Sequence, residues 1–181
     1  EDLSLIGVTG TNGKTTIALM IQHLLGEVCG YMGTNGIISK SFSEKIRNTT
    51  PDADRLYRYF RRFVLDGCRY LSMETSSEAF FRNRLDGLSF QVGILSNITE
   101  DHLNIHKTIE NYVDCKMELL RKVKKNGFSI LNTDDAYYDL ARENAKGTIL
   151  TFGKKKDSTM QLIKVEENVD GSDITIAYQG K

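Results

Sequence analysis

Short apolar runs and stretches of helical periodicity take turns along this chain. Leu3, Leu5, Ile6 and Val8 form a first apolar run, read as a buried strand that stops at a glycine-rich loop. Ile17, Met20, Ile21, Leu24 and Leu25 then recur at helical spacing and end near Gly26. Val28 to Tyr31 reads as a second strand, Gly33-Thr34-Asn35-Gly36 as a turn, and Ile37 to Phe42 as a strand or hairpin arm. Thr50 is placed as an N-cap with Pro51 at the first helical position. That helix runs to about Asp66, buries Leu56, Tyr59, Phe60 and Phe63, and ends at Gly67. Tyr70–Glu74, Phe90–Leu95, Phe128–Leu131 and Ile149–Phe152 read as further strands. Between them lie a helix from about Thr108 to Lys124, with the stripe Ile109, Tyr112, Val113, Leu120 and Val123, and one ending at Ala145, with Tyr137, Leu140 and Ala141 inward. The segment Gly153 to Asp157 is basic and loops out. Met160–Val165 and Asp173–Tyr178 alternate apolar and polar residues around Asn168-Val169-Asp170-Gly171, a hairpin signal. The order predicts an α/β fold: a mostly parallel sheet of P-loop type flanked by helices, with a C-terminal hairpin or small antiparallel sheet.

The first loop, Gly10-Thr11-Asn12-Gly13-Lys14-Thr15-Thr16, carries the clearest chemistry. Gly10 and Gly13 let backbone N–H groups close around an anion, and the helix that follows points its positive end at the same place. Lys14 adds a mobile cation and Thr15 a hydroxyl suited to magnesium. The usual G-x-x-x-x-G-K-[ST] spacing would need glycine where Val8 stands, so the loop is a variant. A plain glycine-rich turn is the alternative; Gly-Lys-Thr-Thr directly after an apolar strand argues against it.

Glu74 is delivered at the C-terminal end of its strand, where open α/β sheets gather ligands, and a carboxylate opposite a phosphate loop can organise magnesium. Arg82 and Arg84 follow, as surface arginines or as ligands of a carboxylate or phosphate. His102 and His106 stand i, i+4 apart, but a third zinc ligand at suitable spacing is missing. Lys116 falls inside the apolar stripe of its helix. It either snorkels to solvent or is held neutral by burial, in which case its amine can take up carbon dioxide as a carbamate that ligates magnesium. The stripe by itself favours snorkelling.

Composition narrows these readings. The 181 residues suffice for one domain with a full core, and 40% hydrophobic with 27% charged residues is ordinary for a globular protein. Lys plus Arg and Asp plus Glu are both 24, so no global field points to nucleic acid or an anionic membrane, and anion binding must be local. Cys29, Cys68 and Cys115 lack metal-ligand spacing and read as buried free thiols of a reducing compartment. No apolar run is long enough for a membrane span, and no signal peptide opens the chain. It begins almost on a core strand without an initiator Met, so residues 1–181 read as one domain of a longer protein.

Five blocks in order resemble the central, ATP-binding domain of the Mur ligases, cytoplasmic enzymes of bacterial peptidoglycan synthesis. They are Gly10 to Thr16; Asn48-Thr49-Thr50-Pro51; Met73-Glu74-Thr75-Ser76-Ser77; Asn97 with Asp101-His102-Leu103 and Tyr112 to Lys116; and Asn132-Thr133-Asp134-Asp135. The Asn-Thr-Thr-Pro block is most similar to the branch that adds the third peptide residue, the UDP-N-acetylmuramoyl-tripeptide synthetases. The resemblance implies ATP and Mg2+ as cofactors. Gly10, Thr11, Asn12, Gly13, Lys14, Thr15 and Thr16 would hold the phosphates and Asn132 the adenine. Thr15 and Glu74 would organise one magnesium; Glu74, His102 and a carbamylated Lys116 would hold a second. Asn48, Thr49, Thr50, Ser76, Arg82 and Arg84 match positions that contact UDP-MurNAc-dipeptide, and the incoming amino acid would be diaminopimelate or lysine. The reaction implied is amide formation through an acyl phosphate, with Lys14, Glu74, His102 and Lys116 as catalytic residues. The chain departs from the family where Glu78 replaces a common histidine and Arg82 a common glutamine. Neither the uridine-binding nor the carboxy-terminal domain of these ligases is recognisable, so the domain by itself should not ligate. Another Mur-type or folylpolyglutamate-type ligase, or a non-catalytic nucleotide-binding module, are the rival readings.

Overall fold

The structure, a computed structural model, describes residues 3–99 and 103–180. Ten strands form one sheet in the order β10-β9-β8-β7-β6-β1-β5-β2-β3-β4. They are β1 Ser4–Thr9, β2 Cys29–Gly33, β3 Gly36–Ile38, β4 Ser43–Glu44, β5 Tyr70–Glu74, β6 Phe90–Leu95, β7 Val123–Asn132, β8 Thr148–Gly153, β9 Met160–Asn168 and β10 Gly171–Tyr178. The helices are α1 Lys14–Leu25, α2 Ala53–Leu65, α3 Ser77–Phe81, α4 Leu103–His106, α5 Ile109–Arg121 and α6 Tyr138–Asn144. β1 lies between β5 and β6 and is parallel to both, which brings the carboxyl ends of these strands to one rim. Ligands of open α/β sheets bind at that rim.

The interior strands are buried on both faces, so they read as continuous apolar runs. Leu5 of β1 packs with Leu56 and Phe63 of α2 on one face, while Ile6 and Val8 pack with Ala18 of α1 on the other. Two glycines let helices approach the sheet closely. A Cβ at Gly7 would lie 2.5 Å from Leu119 of α5, and one at Gly30 would lie 2.4 Å from the Phe63 ring. Gly7, the glycine out of phase with the phosphate-loop spacing, is thus a packing residue.

Three expectations change. Asp52, with extended dihedrals, is the N-cap of α2; Thr50 lies two residues upstream and is committed elsewhere. Val123 and Lys124 open β7 rather than closing α5, whose cap is Lys122. Leu140 is 40% exposed, so α6 buries Ala141 more than the stripe suggested. The expected C-terminal hairpin is present: β10 pairs antiparallel with β9, and β9 joins the main sheet by pairing in parallel with β8 at Phe152 and Gly153. Cys29 and Cys68 are buried and free and Cys115 is half-buried; burial pushes the Cys29 thiol up to about 11, which keeps it protonated.

Candidate active site

The glycine loop between β1 and α1 is held by the segment that follows β6. Gly10 (φ 147°) and Gly13 (φ 86°) take backbone conformations that side chains disfavour. A Cβ at Gly10 would fall 1.9 Å from Ser96 Oγ, so only glycine lets the loop cross β6 there. Asn97 grips the loop: its Oδ1 accepts from the Asn12 amide at 3.0 Å, its Nδ2 donates to the Asn12 carbonyl at 3.1 Å, and its carbonyl accepts from the Thr11 amide at 2.8 Å. Thr11 Oγ1 accepts from the Thr99 amide at 2.9 Å and lies 3.0 Å from the Tyr112 hydroxyl. Lys14 Nζ donates to the carbonyls of Gly10 (2.8 Å) and Thr11 (2.9 Å), spanning the loop. Gly13 offers α1 no side-chain cap, and Thr16 sits exposed on its first turn. With the Thr11 and Asn12 amides taken by Asn97, the amino end of α1 and the Lys14 ammonium group make the cradle for phosphate.

Glu74 is fully buried beside this loop, at the end of the neighbouring strand. Four donors hold it. Oε1 accepts from the Tyr31 hydroxyl (2.6 Å) and the Thr34 amide (2.8 Å); Oε2 accepts from the hydroxyls of Thr15 (2.9 Å) and Thr34 (3.2 Å). A buried carboxylate needs this degree of satisfaction. Burial, then the hydrogen bond to Glu74, pushes the Tyr31 phenol well above its ordinary value, so it stays a donor. The carboxylate and the Thr15 hydroxyl offer hard oxygen ligands next to a phosphate cradle, which fits magnesium, an ion that also draws ligands from phosphates and water. Among the described residues no three His, Cys, Asp or Glu side chains cluster as a ready-made metal cage.

A cavity of about 390 Å³ opens onto the same place and is lined by Lys14, Thr34, Thr50, Ser76, Arg84 and Lys116, with Arg47, Asn48, Thr49, Ser77 and Glu78 around them. Thr50 Oγ1 donates to the Glu74 carbonyl (3.0 Å) and accepts from the Ser76 amide (3.3 Å), tying the Asn-Thr-Thr-Pro segment to the end of β5. Ser76 caps α3 through the Ala79 amide. Arg84 is held by Asp52 (2.9 Å) and the Thr50 carbonyl (3.3 Å). Lys116 is 2% exposed, its Nζ 4.4 Å from the centre of the Tyr112 ring, so it does not snorkel. It stays on the cavity wall within an otherwise apolar helix face.

The family model for the Mur ligase middle domain matches residues 8–181. This chain belongs to that family. Relatives include the UDP-N-acetylmuramoyl-L-alanyl-D-glutamate--2,6-diaminopimelate ligase of Bacteroides fragilis, 36% identical over an alignment of 179 residues that covers 93% of this chain and 36% of the relative. A solved structure of a ligase of the same name superposes with a TM-score of 0.88 at 29% identity, over 99% of this chain and 38% of that one. A MurF ligase from Thermotoga maritima, solved with ADP, shares the fold at a TM-score of 0.65 and 16% identity, over 98% of this chain and 38% of that one. The chain thus spans little more than a third of the length of the relatives it matches.

Within this Mur ligase domain, most residues named from the sequence meet at one rim. The loop from Gly10 to Thr16, Glu74, Asn48, Thr49, Thr50, Ser76, Arg84 and Lys116 converge there. Arg82 does not join them: it is exposed and paired with Glu78 at 2.7 Å. Asn132 ends β7, with its amide donating to the Ser96 carbonyl (2.9 Å) and accepting from the Asp134 amide (2.9 Å). His102 and its neighbour Asp101 lie outside the described residues. His106 is buried between the rings of Phe81 and Tyr112, and its Nε2 is 3.0 Å from Ser77 Oγ. Sequence reasoning missed Tyr31, Thr34, Arg47, Ser77 and Glu78. The signal for Thr34 lies in the sequence, where Gly33-Thr34-Asn35-Gly36 repeats Gly10-Thr11-Asn12-Gly13, although its spacing predicts only a turn. Gly33 is required by this site: a Cβ there would lie 2.1 Å from Glu74 Oε1 and 2.5 Å from the Tyr31 hydroxyl. Gly33→Ala therefore lowers folding stability by about 1–3 kcal/mol through overpacking. Urea unfolding reads the change, and an unaltered midpoint would mean that Glu74 yields freely.

Proposed function

We propose that this domain binds ATP and magnesium in a ligase that joins diaminopimelate to UDP-MurNAc-L-Ala-D-Glu in peptidoglycan synthesis. The observation that carries the reading is the union, on one cavity, of a lysine-bearing phosphate cradle, a buried carboxylate–hydroxyl pair, a buried lysine and an arginine. A nucleotide-binding module that only signals has no need of the last three. The names of the relatives favour diaminopimelate over lysine as the amino acid.

Each residue has a part. The loop from Gly10 to Thr16, through the amides at the amino end of α1, and the Lys14 ammonium take the phosphates, Lys14 exchanging two loop carbonyls for phosphate oxygens. Thr15 and Glu74 hold a magnesium ion, which when bound offsets the repulsion between the triphosphate and the substrate's carboxylate. Asn48, Thr49, Thr50, Ser76 and Arg84 hold the muramoyl-dipeptide, and Arg84, fixed by Asp52, aims its remaining donors at an acidic group. Arg82 takes no part in this reading. Asn132 meets the adenine. Lys116, as its carbamate, and His102 complete a second magnesium site. The substrate's terminal carboxylate accepts the γ-phosphoryl group, and the incoming amine then displaces phosphate to form the amide. The work is done in the cytoplasm, where both nucleotide substrates occur; no helix among the described residues is long and apolar enough to cross a membrane.

The test is ADP release by the complete ligase. It is expected to need UDP-MurNAc-L-Ala-D-Glu and diaminopimelate together. Turnover with dihydropteroate and glutamate instead would reassign the domain to folate chemistry. ATP binding with no ADP under any of these conditions would leave a binding module.

A further inference from the structure

We propose that Tyr31 is a positioning residue that closes one oxygen of Glu74, so that the carboxylate ligates a cation through its other oxygen alone and the site favours magnesium over calcium. The inference rests on the ligase reading above and adds a residue and a selectivity to it.

The two oxygens of Glu74 are held by different kinds of donor. Oε1 receives the Tyr31 phenol at 2.6 Å and the Thr34 main-chain amide at 2.8 Å. Neither donor can withdraw. The amide is fixed by the backbone. The phenol oxygen itself accepts from the Asn35 amide at 3.2 Å, which leaves its own proton for Glu74, and Tyr31 is wholly buried, so water does not compete. Among the described residues Oε2 meets only hydroxyls, Thr15 at 2.9 Å and Thr34 at 3.2 Å. A hydroxyl rotates about its C–O bond and can turn its proton aside without moving a heavy atom. One oxygen is therefore locked as an acceptor from protein, and the other can be released to a cation.

That asymmetry discriminates between cations. Magnesium takes six ligands at about 2.0–2.1 Å and is satisfied by one carboxylate oxygen with waters and phosphates, whereas calcium takes about 6–8 oxygens and gains from both oxygens of a carboxylate. Locking Oε1 withholds the second oxygen from calcium and costs magnesium nothing.

The experiment measures ADP affinity of the complete polypeptide by calorimetry, in magnesium and in calcium, for the parent, Tyr31→Phe and Thr34→Val. Tyr31→Phe is expected to shrink the magnesium-to-calcium ratio of affinities at least about fivefold, and Thr34→Val, which keeps the amide on Oε1, to hold it within about twofold. The ratio, taken on one preparation, is blind to the fraction folded. A Tyr31→Phe protein that loses both affinities equally would show a purely structural tyrosine and overturn the proposal while leaving the ligase reading intact. A parent that binds ADP equally well without a divalent cation would remove the ligase reading and the proposal with it.

Discussion

Replacing Lys14 with alanine is expected to lower kcat/KM of the complete ligase at least about a hundredfold, or ~2.7 kcal/mol. The side chain carries the ammonium group that spans the phosphate loop, bonded to the carbonyls of Gly10 and Thr11. Phosphoryl transfer between two anions leaves little for a protein to do except position the groups and neutralise charge, so losing a fixed cation at the phosphates acts directly on the barrier. The fold should survive, because the loop is also gripped by Asn97 and by Thr99 through Thr11. Steady-state ADP release at saturating amino acid gives the number, and an unchanged thermal midpoint shows that the loss is chemical. Wild-type turnover would remove Lys14 from its role.

Lys116→Ala should cost a similar factor, about a hundredfold or more, and its rescue identifies the chemistry. Lys116 is 2% exposed on an otherwise apolar helix face, and an amine in its neutral form can attack carbon dioxide. The nitrogen–carbon bond forms, one proton leaves, and the product is an anion with two oxygens suited to magnesium. If that anion is the working group, formate or acetate added to Lys116→Ala restores part of the rate, since the truncated side chain leaves room for a small carboxylate. Restoration by a small amine in its place would assign the role to an ammonium, and restoration by neither would make Lys116 a packing residue.

Much of the fold could be read from residue pattern because its centre is a parallel sheet. Tyr70–Glu74 and Phe90–Leu95 are legible because Leu71 and Met73, and Phe90, Val92, Ile94 and Leu95, mark mostly buried strands despite the polar Ser72 and Gln91 among them. Elements with one face to solvent were read less well. Leu140 fits a stripe by spacing yet stands at the rim of its helix, where no neighbouring element covers it fully. Thr50 before Pro51 has the form of a helix cap, and a local rule cannot know that the hydroxyl is claimed by the end of β5, Glu74 being 24 residues away. The support of Glu74 was out of reach for the same reason. Tyr31 pairs in register with Ser72, two residues short of the carboxylate, and the pairing of β2 with β5 is a fact of topology, not of local sequence. The phosphate loop was legible because its chemistry is local: glycines, lysine and threonine follow one another along the chain.

The close seat of α5 against β1 ties the candidate site to an atom that is not there. The hydrogen at Gly7 occupies space that any larger group would take from Leu119, and the same helix carries Lys116 and Tyr112 to the cavity. A methyl group added at Gly7, deep in the core, would thus reach the cavity wall as a tilted lever. Loss of function in variants of this domain need not map to the rim where the candidate site lies.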